Sequence, residues 1–296
     1  MTSKIEKYID LLRKGTSSID YKKTILPFSL YKYRPLSENT LNCLEKDSIW
    51  ISSAESQNDP FESALFYSDK EYALAIYKSS KFKDDFNNFY GKTISDKEIE
   101  EITNDSEPEK KFREICKKKN IIREYNDQNE FRKENANKII KKIKEIIMLS
   151  SFSERNDSIL MWSHYSEKHQ GICIEYDFSN SLNLLNFLEP IYYSDKFNSL
   201  SNALHDNKFE TEIRIAAITK ANDWQYEKEW RFVFPNKKSG YLKVPLPKAI
   251  YLGARFDDNK NGKSELIERL TLKCQKNNIP IFNMKIHDSE YKIIKI

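Results

Sequence analysis

No stretch of the 296 residues approaches the roughly 20 consecutive apolar positions that a membrane-spanning helix needs. The opening MTSKIEKYIDLLRKG has no uninterrupted apolar segment of the kind a secretory leader carries. Both absences predict a cytoplasmic protein that does not engage a membrane. Cysteine is scarce and scattered: Cys43, Cys116, Cys173 and Cys274 show no CxxC spacing, which argues against a zinc site and for buried free thiols in a reducing compartment. A surplus of one charge is also missing. The 49 Lys and Arg nearly balance the 45 Asp and Glu, so a net charge of +4 singles out neither nucleic acid nor a lipid surface as partner. No fixed-period repeat is present.

Aromatic bulk is plentiful, with 17 Phe, 17 Tyr and 4 Trp, and the core is expected to be aromatic. Ile5, Ile9 and Leu12, with Tyr8 alongside, fall on one face of a short N-terminal helix that Gly15 can end. LPFSLYKYRPL alternates as a strand up to Pro35. A helix should follow with Ser37 as its N-cap, and Leu36 and Leu41 stapling it. IWIS (residues 49–52) reads as a second strand. From 81 to 145 the composition turns to Lys, Glu, Asp and Asn, which predicts a helical, lysine-rich insertion of two or three amphipathic helices within one domain spanning 1–296. Its Ile and Phe look too sparse for a core of their own. Strand character returns in IIMLSSFS, GICIEYD, LEPIYYS, EWRFVFP, GYLKVPL, AIYLGARF and IPIFNMKI, interrupted by helical stretches near 158–168, 208–221 and 262–277. The fold class is mixed α+β.

Four clusters carry candidate chemistry. Arg34, beside Tyr33 at a strand end, is placed either to clamp phosphates in bidentate fashion or to form an ion pair. NDPFE (58–62) reads as a tight turn, or as a loop presenting Asn58, Asp59 and Glu62 at a pocket mouth. MWSHYSEKHQG should be a helix started by Asp157 that carries Trp162, His164 and Tyr165, with His169 and Gly171 after it. The two histidines are five apart and about 140° from alignment, so they are not an i, i+4 zinc pair, and no metal is predicted. Either can still act as acid, base or phosphate ligand. In YEKEWRFVF, strand alternation puts Glu227, Glu229 and Arg231 on one face and Trp230, Phe232 and Phe234 on the other. That charged face is either an exposed strand end or a ligand site with one carboxylate steadying an oxocarbenium-like centre.

The words YKYRPL, NDPFE, SFSE, MWSHYSEKHQG, W-x-YEKEWR and IYLGARF, in that order, resemble the bacterial and phage family catalogued as domain of unknown function number 2971. The resemblance runs from about residue 26 to 296, most of the insertion apart. That family's occurrence as accessory-genome cargo implies a toxin-like or antiviral role. A more distant similarity lies in the order of an early arginine, a Ser-x-Ser strand end and a late Glu-x-Glu strand, which resembles the ADP-ribosyltransferases of the Arg-Ser-Glu type. It implies a mainly antiparallel split sheet around a cleft with flanking helices, and NAD as substrate. Arg34 would hold the diphosphate, Ser151 or Ser153 would support the nicotinamide ribose, Glu229 would bind the ribose, and Glu227 would activate a protein or nucleic-acid acceptor. Tyr33, Asn58, Trp162, Tyr165, His169 and Arg231 would line the nucleotide pocket, with His164 as a further catalytic candidate. Phe152 departs from that pattern, which carries threonine in the middle position. Two rivals stand beside this reading: a metal-dependent hydrolase or nuclease using Asp59, Glu62, His164 and Glu229, and a non-catalytic module that binds a nucleotide-type small molecule or a phage component through Tyr33, Trp162, Tyr165 and Trp224.

Overall fold

The computed structural model describes residues 2–16, 18–121, 129–201 and 209–296. Residues 122–128 of the insertion and residue 208, the first of an expected helical stretch, lie outside the described residues. The chain divides into two compact units, one of residues 1–62, 145–195 and 218–296 and one of residues 63–144 and 196–217.

In chain order the first unit opens with helices α1 (Thr2–Arg13) and α2 (Ser18–Ile25), strand β1 (Leu30–Arg34), helix α3 (Glu38–Glu45) and strand β2 (Ser48–Ser53). The second unit then contributes β3 (Leu65–Phe66), α4 (Asp69–Tyr77), α5 (Phe82–Tyr90), α6 (Asp96–Asn104) and α7 (Pro108–Lys118). Helix α8 (Asn129–Ile146) runs back into β4 (Ile147–Ser153). There follow α9 (Ile159–Tyr165), β5 (Ile172–Tyr176), α10 (Leu182–Leu185), β6 (Leu188–Pro190) and β7 (Tyr192–Tyr193). Strand β8 (Asn198–Ser199) and helix α11 (Phe209–Ala217) belong to the second unit. The first unit closes with β9 (Thr219–Lys220), β10 (Glu229–Pro235), β11 (Gly240–Lys243), β12 (Ala249–Leu252), α12 (Ser264–Lys276), β13 (Ile281–Ile286) and β14 (Ile293–Lys295). The mixed α+β class is what the residue patterns predict. Among the described residues no helix is long and apolar enough to cross a membrane.

The charged segment does have an apolar cluster of its own: Tyr77, Phe82, Phe86, Ile94, Ile102, Phe112 and Ile115 are buried against one another. Aromatic rings explain the difference from the sequence reading, since each buries far more area than an aliphatic side chain. Four Phe and Tyr residues do the work of a longer aliphatic list.

A ten-stranded, mainly antiparallel sheet organises the first unit, in the order β11-β2-β4-β1-β5-β12-β13-β14, with β10 added on β4 and β6 on β10. Strand β10 pairs with all seven residues of β4 along one edge. On the other edge β2 pairs only with Met148 and Leu149, and β1 only with Ser153. The sheet is therefore split along Ser150–Phe152, where β1 and β2 diverge. Side chains bridge the gap: Lys32 Nζ donates to Ser150 Oγ (2.9 Å) and to the Ser151 carbonyl (2.8 Å), and Ser150 Oγ donates to the Trp50 carbonyl (3.0 Å).

Strand alternation assigns the two faces of this region. Phe152, Trp230 and Phe232 enter the main core with Tyr176 and Phe178. Ser151, Ser153, Glu229 and Arg231 occupy the opposite face, with Arg231 directly across from Ser151 and Glu229 across from Ser153. This is why the segment reads SFS: two hydroxyls serve the polar face and one ring fills the core. Helix α3 holds its place through the Ser37 cap, whose Oγ accepts from the Thr40 amide, and buried Leu36, Leu41 and Leu44.

Two glycines sit where no side chain fits. A Cβ at Gly171 would lie 2.3 Å from the Arg34 carbonyl oxygen, and one at Gly253 would lie 2.1 Å from that of His169. These contacts seat the turn after α9 against β1 and the end of β12.

Candidate functional site

Glu229 opens β10 and is 4% exposed, while Arg231, two residues on, is fully buried. Arg231 Nε donates to Glu229 Oε1 at 2.8 Å, and its Nη1 donates to Glu62, which the turn after Asp59 delivers. The other Glu229 oxygen receives Lys220 Nζ at 2.9 Å, and the same ammonium reaches Glu227 Oε2 at 2.5 Å. Tyr165 of α9 donates its hydroxyl to Glu227 Oε1 at 2.6 Å. The result is a buried chain of alternating charge: Glu62, Arg231, Glu229, Lys220, Glu227. Isolated charges are costly to bury, and each member here is offset by its neighbours.

Glu227 does not lie on the strand, contrary to the alternation argument. It ends a 3-10 turn (Asn222–Glu227), and Lys228 follows in the left-handed region at φ 44°. That residue reverses the path so that both acids meet Lys220. The expected Asp157 start of α9 is corrected as well: Ser158 caps the helix, accepting from the Met161 amide, and the helix ends at Tyr165.

The two acids are pushed apart electrostatically. Burial and the charge of Glu229 raise Glu227 above the ordinary glutamate value, and Lys220 and the Tyr165 hydroxyl only partly oppose this. Burial would raise Glu229 too, but Arg231 and Lys220, with a hydrogen bond from Ser151, bring it down to about 2. Lys220 is held charged above its ordinary value by Glu229 and Glu227 against the effect of burial. One carboxylate stays ionised; the other can exchange a proton.

These groups line a cavity of about 210 Å³ together with Lys32, Arg34, Trp50, Asn58, Ser151 and Tyr165. Ser151 is the exposed residue of β4 and faces this space. Arg34 differs from Arg231: its guanidinium makes no hydrogen bond or ion pair with any described residue, and burial lowers its pKa. Lys32 is buried with only neutral partners, and burial and neighbouring Arg34 lower its pKa well below the usual value.

The cavity thus brings together Arg34, Ser151, Glu227, Glu229, Tyr165 and Asn58, with Arg231 directly behind Glu229. Tyr33 lines it as well, though its hydroxyl is taken by the Arg155 carbonyl at 2.8 Å. Ser153 is buried beneath the site, where Oγ donates to the Glu227 carbonyl at 2.6 Å and accepts from the Arg155 amide. Trp162 is a core residue stacked edge-on against Tyr33, with Nε1 donating to the Asn156 carbonyl. His169 packs on Trp162 at the end of a turn in which Glu167, Lys168 and His169 are all left-handed, and Ser163 holds its Nε2. His164 is exposed beside Tyr226. Neither histidine lines the cavity. Asp59 is a turn residue, accepting from the Phe61 amide at 2.8 Å. Among the described residues no group of three or more His, Cys, Asp and Glu is arranged to hold a metal.

Two participants escaped the sequence reading. Lys220 falls in a stretch read as helix, whereas α11 ends at Ala217 and β9 carries the lysine inward. Lys32 looked like an ordinary polar position of a strand.

The family described as Protein of unknown function (DUF2971) matches residues 161–232, a part of the stretch over which the chain's words resemble it. The matched segment contains Tyr165, Lys220, Glu227, Glu229 and Arg231, the acidic half of the site. No curated protein and no solved structure matches the chain.

Proposed function

We propose that this cavity cleaves the nicotinamide–ribose bond of NAD, passing the ADP-ribose unit to water or to a protein or nucleic-acid acceptor. The observation that supports the reading best is the pair Glu227 and Glu229, bridged by one ammonium, displaced in opposite directions in pKa and sharing a cavity with the unpaired guanidinium of Arg34. Pairs of titratable groups pushed apart by their surroundings mark a division into acid–base and electrostatic roles.

Heterolysis leaves the bonding electron pair on the nicotinamide nitrogen, which becomes neutral, so the leaving group needs no proton. Positive charge develops on the ribose C1′ and ring oxygen. Glu229, held ionised, supplies the fixed negative charge that this centre needs. Glu227 in its carboxylate form takes the proton of the attacking water or acceptor hydroxyl, and Tyr165 orients it. The two Glu229 oxygens are already engaged by Arg231 and Lys220, so its contribution is charge rather than a hydrogen bond to the ribose. NAD consumption or acceptor modification suits a toxin-like or antiviral task.

The test is release of nicotinamide from NAD, followed chromatographically. Wild type should release it, and Glu227→Gln should lower the rate roughly 100-fold or more, as loss of a general base does. An inert wild type overturns the reading. The full engagement of Glu229 also favours a second reading, a nucleotide-binding module without turnover, and an inert protein that still binds NAD would select it.

A further inference from the structure

Beyond the acid pair, a second cavity of about 440 Å³ opens on the other side of the split, and Lys32, Arg34 and Trp50 line both. Its wall is free of carboxylates: the two cations face Asn39, Thr40, Ser48 and the rings of Trp50 and Tyr241. This is unusual company for a buried lysine and a half-buried arginine. Elsewhere in the same unit buried cations are matched: Arg231 with Glu229 and Glu62, Lys220 with Glu227 and Glu229, and Lys22 with Glu189. Adjacent unneutralised cations oppose each other at i, i+2 on one strand face, and the Lys32 pKa is lowered first by burial and then by this neighbouring charge. Lys32 directs two of its three donors to Ser150 and Ser151, which fixes the ammonium at the junction of the two cavities. The rim is aromatic. Trp50 and Tyr241 are each partly exposed and meet edge-to-face at 5.2 Å, with Lys46 Nζ 3.9 Å from the Tyr241 ring centre.

We propose that this second cavity is an anion subsite that takes the diphosphate of a nucleotide, with Lys32 and Arg34 as its binding residues and Trp50 as the platform for the base. The inference rests on the reading above only in taking the ligand to be a nucleotide. A diphosphate supplies the negative charge that the two cations lack, Arg34 offers the planar fork suited to phosphate oxygens, and an indole face accepts any base by stacking. The polarity of the ligand follows: phosphates on the cationic side of the split, glycosidic bond on the acidic side.

Titration calorimetry on the full chain separates the sources of binding, using inorganic pyrophosphate, ADP and adenosine as probes. Pyrophosphate and ADP should both bind. Arg34→Gln should weaken each by roughly 10- to 100-fold, the scale of a lost charge-assisted pair of hydrogen bonds. Trp50→Ala, at a partly exposed position, should weaken ADP several-fold and leave pyrophosphate unchanged. Glu227→Gln should leave pyrophosphate binding intact, so a protein inert toward NAD that still binds pyrophosphate in this pattern refutes the cleavage reading and keeps the subsite. Failure of pyrophosphate and ADP to bind at millimolar concentration, binding indifferent to Arg34→Gln in a variant shown by its circular dichroism to be folded, or adenosine binding as well as ADP, each overturns the subsite.

Discussion

Two arginines on the same sheet are treated in opposite ways. Arg231 of β10 is fully buried and held by Glu229 and Glu62, so its charge is part of the architecture. Arg34 of β1 has no such partner among the described residues and stands beside a second cation. A fold that neutralises one guanidinium this thoroughly and leaves the other bare separates structural from ligand-directed charge. The segment that matches the DUF2971 family holds Lys220, Glu227, Glu229 and Arg231 of the compensated network, whereas Glu62 and the cations Lys32 and Arg34 lie outside the match.

The contrast is most forcefully broken at Arg231. Arg231→Met should destabilise the protein by roughly 3–5 kcal/mol, because the buried carboxylates of Glu229 and Glu62 would both lose the guanidinium that offsets them. Urea unfolding midpoints measure it. The next effect is on acid stability. Glu229 is ionised in the folded chain down to about pH 2, so below the ordinary glutamate value the unfolded chain binds the additional proton. Stability from this group is complete at neutral pH and is lost as pH falls from about 4.5 towards 2, on the order of 3 kcal/mol in all. Glu229→Gln should flatten that part of the stability profile. Arg34→Gln, by contrast, should change stability by less than about 1 kcal/mol, since no ion pair is broken and a half-buried charge is removed. A loss as large as that of Arg231→Met would erase the distinction between the two arginines. Comparable in size is Tyr165→Phe. Its hydroxyl favours the Glu227 carboxylate, so its removal should move the acid limb of nicotinamide release to higher pH while the unfolding midpoint shifts by only about 1 kcal/mol.

Most strands were legible because aromatic and β-branched runs broken by turn residues survive in any tertiary setting. The placement of SFS, the cap at Ser37 and the inward turn of Glu229 and Arg231 follow from local patterns of this kind. What stayed hidden depended on long-range assembly. Lys220 sits in a two-residue strand too short to show a period, and its pairing with β7 is set elsewhere in the chain. Glu227 reaches its partner through a left-handed lysine, a conformation that lysine rarely adopts and that no pattern announces. Trp162 and His169 attracted attention as unusual residues, yet the same bulk that made them conspicuous is what fills the space behind Tyr33. The bareness of Arg34 is invisible in one dimension, because a missing partner has no sequence signal.

The division of labour between Glu229 and Glu227 is tested most directly by the pH dependence of nicotinamide release from NAD by the wild-type chain. The account predicts a rate that rises through a single ionisation above the ordinary glutamate range, as Glu227 loses its proton, and then levels off while Glu229 stays ionised throughout. Absence of release, or a rate that is already flat across that range, contradicts it.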